Sequence, residues 1–201
     1  MTLFSYVVAR DYGFAPNPFG GFCTLATCKP EIRRLAMVGD WIVGTGSATR
    51  LRRGYLVYAM KVAEAMTFDA YWTDQRFQQK KPDLRASNKR AFGDNIYHRV
   101  NGGWLQSNSH HSFGDGLAND RNIRNDTQVD RVLVATVFAY WGGSGPVIPQ
   151  ALRNFQGYNI CVVRGYKNRF PAGMEPAFVA WFSSLGVKGY RGRPIEWINS
   201  P

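Results

Sequence analysis

The chain has 201 residues, of which 45% are hydrophobic and 19% are charged, and its formal net charge is +11. This composition favours a folded chain over a disordered one, because enough apolar side chains are present to form a core. The positive charge favours a polyanionic partner such as a nucleotide or a nucleic acid; the alternative is a basic surface that serves only solubility. No stretch reaches the ~20 apolar residues of a membrane span, so no membrane partner is expected.

Cysteine usage and the N-terminal segment favour a cytoplasmic protein. The chain has three cysteines, an odd number, and no basic region precedes its first apolar stretch. Cys23, Cys28 and Cys161 together with a histidine could bind zinc, but no CxxC pair occurs. We therefore expect neither a metal nor another cofactor, and we interpret the cysteines as small apolar residues of the core.

In the first half of the chain, segments rich in β-branched and aromatic residues predict strands at 3–9, 23–28, 41–47 and 54–66. The last two predict adjacent antiparallel strands, with Arg50, Arg52 and Arg53 exposed at their connection. KPEIRRLAM at 29–37 has the apolar spacing of a helix face, with Pro30 in its first turn. Residues 68–77 predict a helical turn or short helix.

The second half begins with a polar, basic surface segment at 78–95. IYHRV and GWLQS then predict the two arms of a hairpin that turns at residues 101–103. Residues 113–130 show no periodicity and predict irregular structure. The remaining elements are predicted as strands at 131–142 and 158–170 and a helix at 174–185.

Strands interleaved with short helices and long loops indicate an α+β fold with a mixed or antiparallel sheet. A partly closed β-barrel is one form of such a sheet. No internal repeat, low-complexity tract or linker divides the chain. Residues 1–201 are therefore expected to form a single domain.

All three histidines lie within GDNIYHRVNGGWLQSNSHHS, at residues 93–112. His98 could be oriented by Asp94 or Asn95, in the carboxylate–imidazole arrangement that fixes a histidine tautomer. The segment is glycine-punctuated and polar, as binding loops on rigid scaffolds often are. An acid–base centre, a ligand pocket and a structural loop all remain open.

The neighbouring histidines 110 and 111 would face opposite sides of a strand, so only one is expected to share a site with His98. His98, His110 and Asp94 are the candidates for acid–base catalysis. We expect this segment to line the principal pocket and to present at least one histidine to ligand.

Other candidate ligand groups lie outside the histidine segment. GTGS at 44–47 has the small residues of a phosphate-binding loop but lacks the lysine and spacing of GxxxxGK[ST]. Trp72 could stack on a base while Arg76 contacts a phosphate; core packing and a local surface ion pair are the alternatives. The predicted ligand-binding residues are Thr45, Ser47, Trp72, Arg76, Asn95, Tyr97, Trp104, His111 and Trp141. The predicted phosphate or nucleic-acid contacts are Arg50, Arg52 and Arg53.

Several motifs occur in a characteristic order: NPFGGFCTLATCKPEIRRLAMVGDWIVGTGS, GYLVYAMKV, YWTDQRF, GDNIYH, SHHS and YWGGSGP. Together they resemble a bacterial and phage family, the nucleotide-modification-associated domain of the second type, over nearly all of residues 1–150. The resemblance implies a role in making or handling hypermodified DNA bases and no established reaction.

A broader likeness is to PUA-like barrels, including EVE and YTH domains, in which a GD-apolar-apolar strand leads into a strand such as that at 54–62. Those domains bind modified bases in aromatic-lined pockets. The tryptophan usual near the N-terminus of EVE domains is missing here.

The leading functional hypothesis is recognition or processing of a modified nucleotide or nucleic-acid base in a bacterial or phage DNA-modification or defence pathway. One alternative is an enzyme that acts on a nucleotide or base by histidine acid–base chemistry, with Asp94 orienting His98 or His110. Another is a subunit that binds other proteins.

Overall fold

A computed structural model describes residues 1–197. The chain divides into two compact units, which are described separately. Unit 1 comprises Met1–Tyr12, Ala36–Ala63 and Thr136–Pro201, the last segment being described to residue 197. Unit 2 comprises Gly13–Leu35 and Glu64–Ala135.

The strands in chain order are β1 (Leu3–Val8), β2 (Cys23–Leu25), β3 (Trp41–Gly46), β4 (Leu56–Lys61), β5 (Glu64–Met66), β6 (Tyr97–Val100), β7 (Gly103–Gln106), β8 (Val132–Ala135), β9 (Val137–Tyr140), β10 (Tyr166–Lys167) and β11 (Gly189–Tyr190). The α-helices are α1 (Pro30–Leu35), α2 (Phe68–Thr73), α3 (Asn88–Ala91), α4 (Asp120–Thr127), α5 (Gln150–Arg153) and α6 (Met174–Ser184). Short 3-10 helices span Ala48–Arg50, Gln75–Lys80, Gly142–Ser144 and Ile195–Trp197.

Unit 1 contains a six-stranded mixed sheet in the order β10-β1-β3-β4-β9-β11. β1 and β3 are parallel, whereas β4 pairs antiparallel with both β3 and β9. β3 is buried along its whole length, as expected of a strand covered on both faces. Gly44 within it is required by close packing, because a Cβ there would lie 2.3 Å from the ring of Tyr58.

The core of unit 1 is an apolar cluster in which the helix α6 packs its aromatic side chains. The ring of Phe182 lies 5.0 Å from that of Trp41 and 6.2 Å from that of Trp141. Phe178 is fully buried and lies 5.8 Å from Trp41. Burying each such side chain contributes about 1.5–3 kcal/mol, so this cluster is a main source of stability for unit 1.

Unit 2 contains the three-stranded antiparallel sheet β2-β8-β5 and the separate hairpin β6–β7. The hairpin turns at Asn101 and Gly102, both at positive φ, as a tight hairpin turn requires. Helices α1 to α4 are short, and loops connect them. The site described below takes its polar side chains from α1, α4, the β6–β7 hairpin and the loops next to them.

Most of the expected elements are confirmed. The fold is α+β with a mixed sheet, and β3 and β4 are adjacent antiparallel strands. The hairpin at 97–106 and the helices at 29–37, 68–77 and 174–185 are present in shortened form. In the connection between β3 and β4, Arg50 and Arg53 are exposed and Arg52 is half-buried. The single-domain organisation of residues 1–201 stays a prediction.

The expectation of a partly closed barrel is wrong, because within residues 1–197 the six-stranded sheet ends at β10 and β11 and does not close. The strand predicted at 158–170 is reduced to β10. Before β10 the chain bends at residues 159–161, where the Asn159 side chain accepts a hydrogen bond from the backbone N–H of Cys161 at 2.7 Å. Ile160 and Cys161 reach the core from this bend, so apolar composition misled the prediction.

Residues 54–66 and 131–142 each form two strands that belong to different sheets, with breaks at 62–63 and at Thr136. Irregular structure at 113–130 was also a wrong prediction, because α4 forms there. Its N-terminus is capped by Asn119, whose side chain accepts from the N–H of Asn122 at 3.2 Å. The helix is polar, which explains why hydrophobic periodicity did not reveal it. None of the helices in residues 1–197 is both long enough and apolar enough to span a bilayer.

Candidate functional site

Three side chains of unit 2, those of Cys28, His111 and Asp126, form a continuous row. The Sγ of Cys28 lies 3.7 Å from Nε2 of His111, and Nδ1 of His111 lies 2.8 Å from Oδ2 of Asp126. Cys28 and His111 are half-buried, whereas Asp126 is fully buried. In this order the carboxylate can orient the imidazole, and the imidazole can activate the thiol as a nucleophile.

Asp126 is held by four donors, which satisfy both oxygens of its buried carboxylate. Besides His111, the Tyr97 hydroxyl donates to Oδ2 at 3.0 Å. The backbone N–H of Cys28 and the Asn125 side chain donate to Oδ1 at 2.8 and 3.2 Å. A buried carboxylate needs such partners, and here two of them belong to the row itself.

The imidazole of His111 is fixed through its backbone and its ring face. Its carbonyl accepts hydrogen bonds from the side chains of Gln106 at 3.2 Å and Asn122 at 2.8 Å. The backbone N–H of His111 donates to Oγ of Ser109 at 3.3 Å. The ring of Phe14 packs against the imidazole, with ring centres 4.5 Å apart. These contacts hold His111 in place without any ligand.

The charge state of His111 follows from its neighbours. Burial by itself lowers the pKa of an imidazole, but the hydrogen bonds to Asp126 and Cys28, and the charges of both groups, outweigh burial and raise the pKa of His111 to about 9. His111 is then protonated at neutral pH. The protonated ring faces the sulfur of Cys28 at 3.7 Å.

The backbone at Cys28 is strained. Cys28 and Lys29 have φ values of 56° and 42°, in the left-handed region that non-glycine residues rarely adopt. Such a conformation costs of order 1–3 kcal/mol per residue and is concentrated at active sites. It places the thiol immediately before α1, facing His111.

Arg33, which is fully buried in α1, holds this strained backbone in place. Its Nε donates to the carbonyl of Cys28 at 2.9 Å, and its Nη2 donates to the carbonyl of Asp126. Nη1 donates to the carbonyls of Val129 and Arg131 at 2.8 and 2.7 Å. One guanidinium thereby connects the two ends of the row.

The same three side chains bring a thiol sulfur, an imidazole nitrogen and a carboxylate oxygen within 4.8 Å of one another, which raises the question of a metal. The geometry fits poorly. Two ligand atoms of a tetrahedral metal with bonds of about 2.0 Å lie roughly 3.3 Å apart. Nδ1 of His111 and Oδ2 of Asp126 are only 2.8 Å apart and are already hydrogen-bonded to each other. A metal bound to Nε2 would have only Cys28 as its second protein ligand, with Asp126 behind the ring.

The sequence model of the family Nmad2, Nucleotide modification associated domain 2, matches residues 1–201. The chain belongs to this family. Comparison with curated proteins and with solved structures gave no match. Membership in Nmad2 associates the chain with nucleotide modification in general terms and names no reaction.

In this Nmad2 chain, Asp94 lies in the interior of unit 2. Its carboxylate accepts hydrogen bonds from the hydroxyls of Thr24 at 2.6 Å and Tyr71 at 2.7 Å. Burial raises the pKa of Asp94, while the charge of Lys80 opposes that rise. Asn95 is also buried and donates to the carbonyls of Tyr71 and Phe77 at 2.9 and 3.3 Å. Both side chains fix the start of the histidine segment.

The other two histidines have aromatic surroundings. The imidazole of His98 stacks on Trp72, with ring centres 3.9 Å apart, and the ammonium of Lys81 lies 3.7 Å from the Trp72 ring centre. Burial lowers the pKa of His98, and the charge of Asp69 opposes it. His110 packs edge-on against Phe14 and Phe92 at 5.3 and 5.1 Å.

The remaining predicted ligand residues of unit 2 are engaged in protein contacts. Arg76 forms ion pairs with Glu64 at 2.9 Å and Asp74 at 2.6 Å. Trp104 packs against Phe68 and carries a guanidinium, that of Arg99, over its ring. Tyr97 contacts the row through Asp126, so the structure brings Tyr97 and His111 together.

The predicted residues of unit 1 lie in its sheet, core and connection. Thr45 is buried and donates to the carbonyl of Tyr6, and Ser47 caps the following 3-10 helix. Trp141 is 8% exposed within the apolar cluster. Arg50 forms a bidentate pair with Glu196, Arg52 donates to the carbonyl of Gly145 at 3.2 Å, and Arg53 is exposed.

Sequence reasoning found His111 but missed the other two members of the row. Cys28 was interpreted as a core residue, although its position just before a proline-initiated helix was visible. Asp126 lies in the polar helix α4, which has no apolar stripe. The usable signal was the joint presence of a cysteine, a histidine and an aspartate in one chain, which predicts a candidate nucleophile only when the fold brings them together.

Proposed function

We propose that this Nmad2 protein is an enzyme that processes a nucleotide or nucleobase derivative, with Cys28 as the nucleophile. His111 acts as the general acid–base, and Asp126 orients His111. The observation that carries the proposal is the hydrogen-bonded row from Cys28 Sγ to Asp126 Oδ2. Membership in Nmad2 supports the nucleotide part of the substrate.

The reaction class we propose is acyl transfer to water. The Cys28 thiolate attacks the carbonyl carbon of an acyl group attached to a nucleotide amine or hydroxyl. The carbon–nitrogen or carbon–oxygen bond breaks, and the His111 imidazolium gives its proton to the leaving group. His111, now neutral, takes a proton from water, the resulting hydroxide attacks the thioester, and the acid is released with the Cys28 thiolate and the His111 imidazolium regenerated.

The setting we propose is a cytoplasmic pathway of DNA modification or defence in a bacterium or phage. A thiol nucleophile must stay reduced, which a reducing compartment ensures. Cys23, Cys28 and Cys161 are free cysteines, in keeping with that requirement.

Alkylation by iodoacetamide tests the nucleophile without knowledge of the substrate. Cys28 is half-buried and next to an imidazolium, whereas Cys23 and Cys161 are buried. Peptide mass spectrometry after brief exposure at pH 7 is expected to find the label on Cys28, and His111→Ala is expected to slow labelling about tenfold or more. Equal labelling of all three cysteines, or a rate unaffected by His111→Ala, would contradict the proposal.

Turnover is tested on nucleotides whose exocyclic amine carries an acyl group. Cys28→Ala is expected to remove hydrolysis, and Cys161→Ala, a buried cysteine of unit 1, is the matched control. A chelator is expected to leave both labelling and turnover unchanged, because the row fits a metal poorly. Full turnover by Cys28→Ala would overturn the assignment of the nucleophile.

A second candidate function is recognition of a modified nucleotide or nucleic acid without catalysis. The net charge of +11 favours it, since phosphate contacts dominate nucleic-acid affinity. Saturable, salt-dependent binding of an oligonucleotide by a protein whose Cys28 is no more reactive than a free thiol would favour this candidate over the enzyme.

A further inference from the structure

Outside the Cys28 row, unit 2 contains a basic pocket of about 200 Å³. It is formed by the loop after Asn17 and by the segment around α3. The polar and glycine residues that matter here are Asn17, Gly20, Lys80, Ser87, Lys89 and Arg90. Three of these carry positive charge, and none of the described residues that line the pocket is acidic.

We infer that this pocket binds a phosphate group of the nucleotide substrate. The substrate assignment rests on the proposed function, whereas the anion site rests on its own geometry. A concave surface whose lining holds basic side chains and no carboxylate attracts a phosphate. The volume accommodates a phosphate together with part of the attached sugar.

Lys80 supplies charge beneath the pocket and fixes its wall. Its side chain is 3% exposed, and Nζ donates to the carbonyl and side chain of Asn17, to the carbonyl of Phe22 and to Thr24 Oγ1, at 2.6–3.1 Å. These acceptors use all the protons of Nζ, so Lys80 acts on the ligand through its charge. Burial lowers the pKa of Lys80 to about 8, and the charge of Asp94 opposes that change.

Direct contacts come from the rim. Lys89 is exposed, and the Nε–H of Arg90 is shielded from solvent without a hydrogen-bond partner within residues 1–197. A buried donor without an acceptor is unfavourable, and a phosphate oxygen would supply that acceptor. At Gly20, an added Cβ would meet nothing within 4 Å, so the backbone there is open to a ligand.

The wall of this pocket continues towards the Cys28 row. The side chain of Asn17 donates to the carbonyl of Phe92 at 2.9 Å, and the ring of Phe92 lies 5.1 Å from that of His110. His110 directly precedes His111 in the chain. Asn17, Phe92 and His110 thus connect the pocket to the segment that carries His111.

Calorimetric titration tests the site with three probes: inorganic phosphate, thymidine 5′-monophosphate and thymidine. The double variant Lys89→Gln/Arg90→Gln is expected to weaken binding of the monophosphate about tenfold or more, and to leave the weak binding of thymidine unchanged. The matched control is Arg164→Gln/Lys188→Gln, which removes two exposed charges from unit 1 and is expected to stay within about twofold of the parent. Lys89→Glu alone, at an exposed position, provides a variant with little risk to folding.

A 5′-hydroxyl oligothymidylate separates the two sources of phosphate. If it competes as well as the monophosphate and loses affinity in the double variant, the pocket takes the backbone of a nucleic acid; if it competes poorly, the pocket takes a free nucleotide. Both results support a phosphate site. Unchanged monophosphate binding by folded Lys89→Glu and by the double variant, or an equal loss in the control, would overturn it.

The titrations are repeated in Cys28→Ala, where phosphate binding is expected to be unchanged. If the pocket variants lose phosphate binding while iodoacetamide still labels Cys28 normally, these variants disable the anion site and leave the nucleophile intact. Unselective labelling with normal phosphate binding would instead contradict the proposed nucleophile. The two proposals can therefore fail separately.

Discussion

The two units bury different kinds of side chain. The core of unit 1 is an apolar cluster built on a mixed sheet, and the charged residues it buries are the aspartates Asp11 and Asp40. Unit 2 has a smaller sheet, and the charged residues it buries are Arg33, Lys80, Asp94 and Asp126.

This difference indicates where chemistry is expected. Burying a charge is costly unless it is paired and fully hydrogen-bonded, so apolar packing is the simpler way to stabilise a fold. Unit 2 keeps ionisable groups of both signs in its interior, and places one of them at the end of a row that reaches a half-buried thiol. Departures from simple packing are expected at functional sites, which is why we assign the activity to unit 2.

The largest effect is expected from Asp126→Asn. The amide would present a donor to Nδ1 of His111 and favour the wrong tautomer, so turnover is expected to fall about 10³-fold or more. Asp69→Asn, which removes an exposed carboxylate of unit 2 paired with Arg99, is the matched control and is expected to keep nearly full activity. Melting curves check that both variants fold.

If Asp126→Asn stayed within about tenfold of the parent rate while remaining folded, the carboxylate would not orient the base. The buried charges of unit 2 would then be part of its packing and would not indicate an active site.

Phe178→Ala in unit 1 and Tyr97→Phe in unit 2 compare the apolar core of one unit with the polar site of the other. Truncating Phe178 in the unit 1 cluster is expected to lower the free energy of unfolding by about 3–5 kcal/mol, because it leaves a cavity. Tyr97→Phe removes the hydrogen bond to Asp126 and the one accepted from Gln106, and is expected to cost about 1–3 kcal/mol. Urea denaturation measures both.

The rate of Cys28 alkylation in the native state is expected to change in Tyr97→Phe and to stay unchanged in Phe178→Ala. The reverse pattern would mean that the row is insensitive to its own partners and that the core of unit 1 controls it.

Local patterns in the sequence predicted much of the fold. Alternating and β-branched runs predicted β3 and β4, and Asn101 with Gly102 predicted the hairpin turn. They did not predict that a continuous apolar run would break at Thr136 and enter two sheets, because strand partners are set by tertiary contacts. The polar helix α4 gave no apolar period to detect.

The site was less predictable than the fold. Scarce histidines drew attention to the segment that contains His111, but the pairing of His98 with Asp94 rested on sequence proximity. In the structure Asp94 is hydrogen-bonded to Thr24 and Tyr71, whereas the imidazole of His111 contacts residues 83 positions before it and 15 after it. Contacts at such separations depend on the whole arrangement of loops in unit 2.

The pH dependence of stability is expected to reveal the charge of His111. Its folded pKa of about 9 lies above the unfolded value of about 6.5, so its stabilising contribution is complete below pH 6.5 and is lost as the pH rises through 9. The change is of order 3 kcal/mol, because each pKa unit corresponds to about 1.4 kcal/mol. Lys80 acts in the opposite sense, since its lowered pKa makes stability rise between about pH 8 and 10.5.

Lys80 contributes equally to the parent and to His111→Gln. Its contribution therefore cancels in the difference between the unfolding free energies of the two proteins. That difference is expected to be largest near pH 6 and to shrink towards pH 9.5. A difference that is constant over this range would show that His111 is not protonated in the folded protein at neutral pH.

The smallest expected effects separate two arginines of unit 1 that lie three positions apart. Arg50 is already paired with Glu196, whereas Arg53 is exposed and was predicted from the sequence to contact phosphate together with Arg50 and Arg52. If unit 1 contributes to nucleic-acid binding, Arg53→Gln is expected to reduce the slope of log affinity against log salt concentration by about 1, and Arg50→Gln by less. Both substitutions are expected to change the free energy of unfolding by less than about 1 kcal/mol. Oligonucleotide titrations at several salt concentrations measure the slope. Equal slopes in Arg53→Gln and the parent would show that Arg53 does not contact the polyanion, and would strengthen the assignment of binding to unit 2.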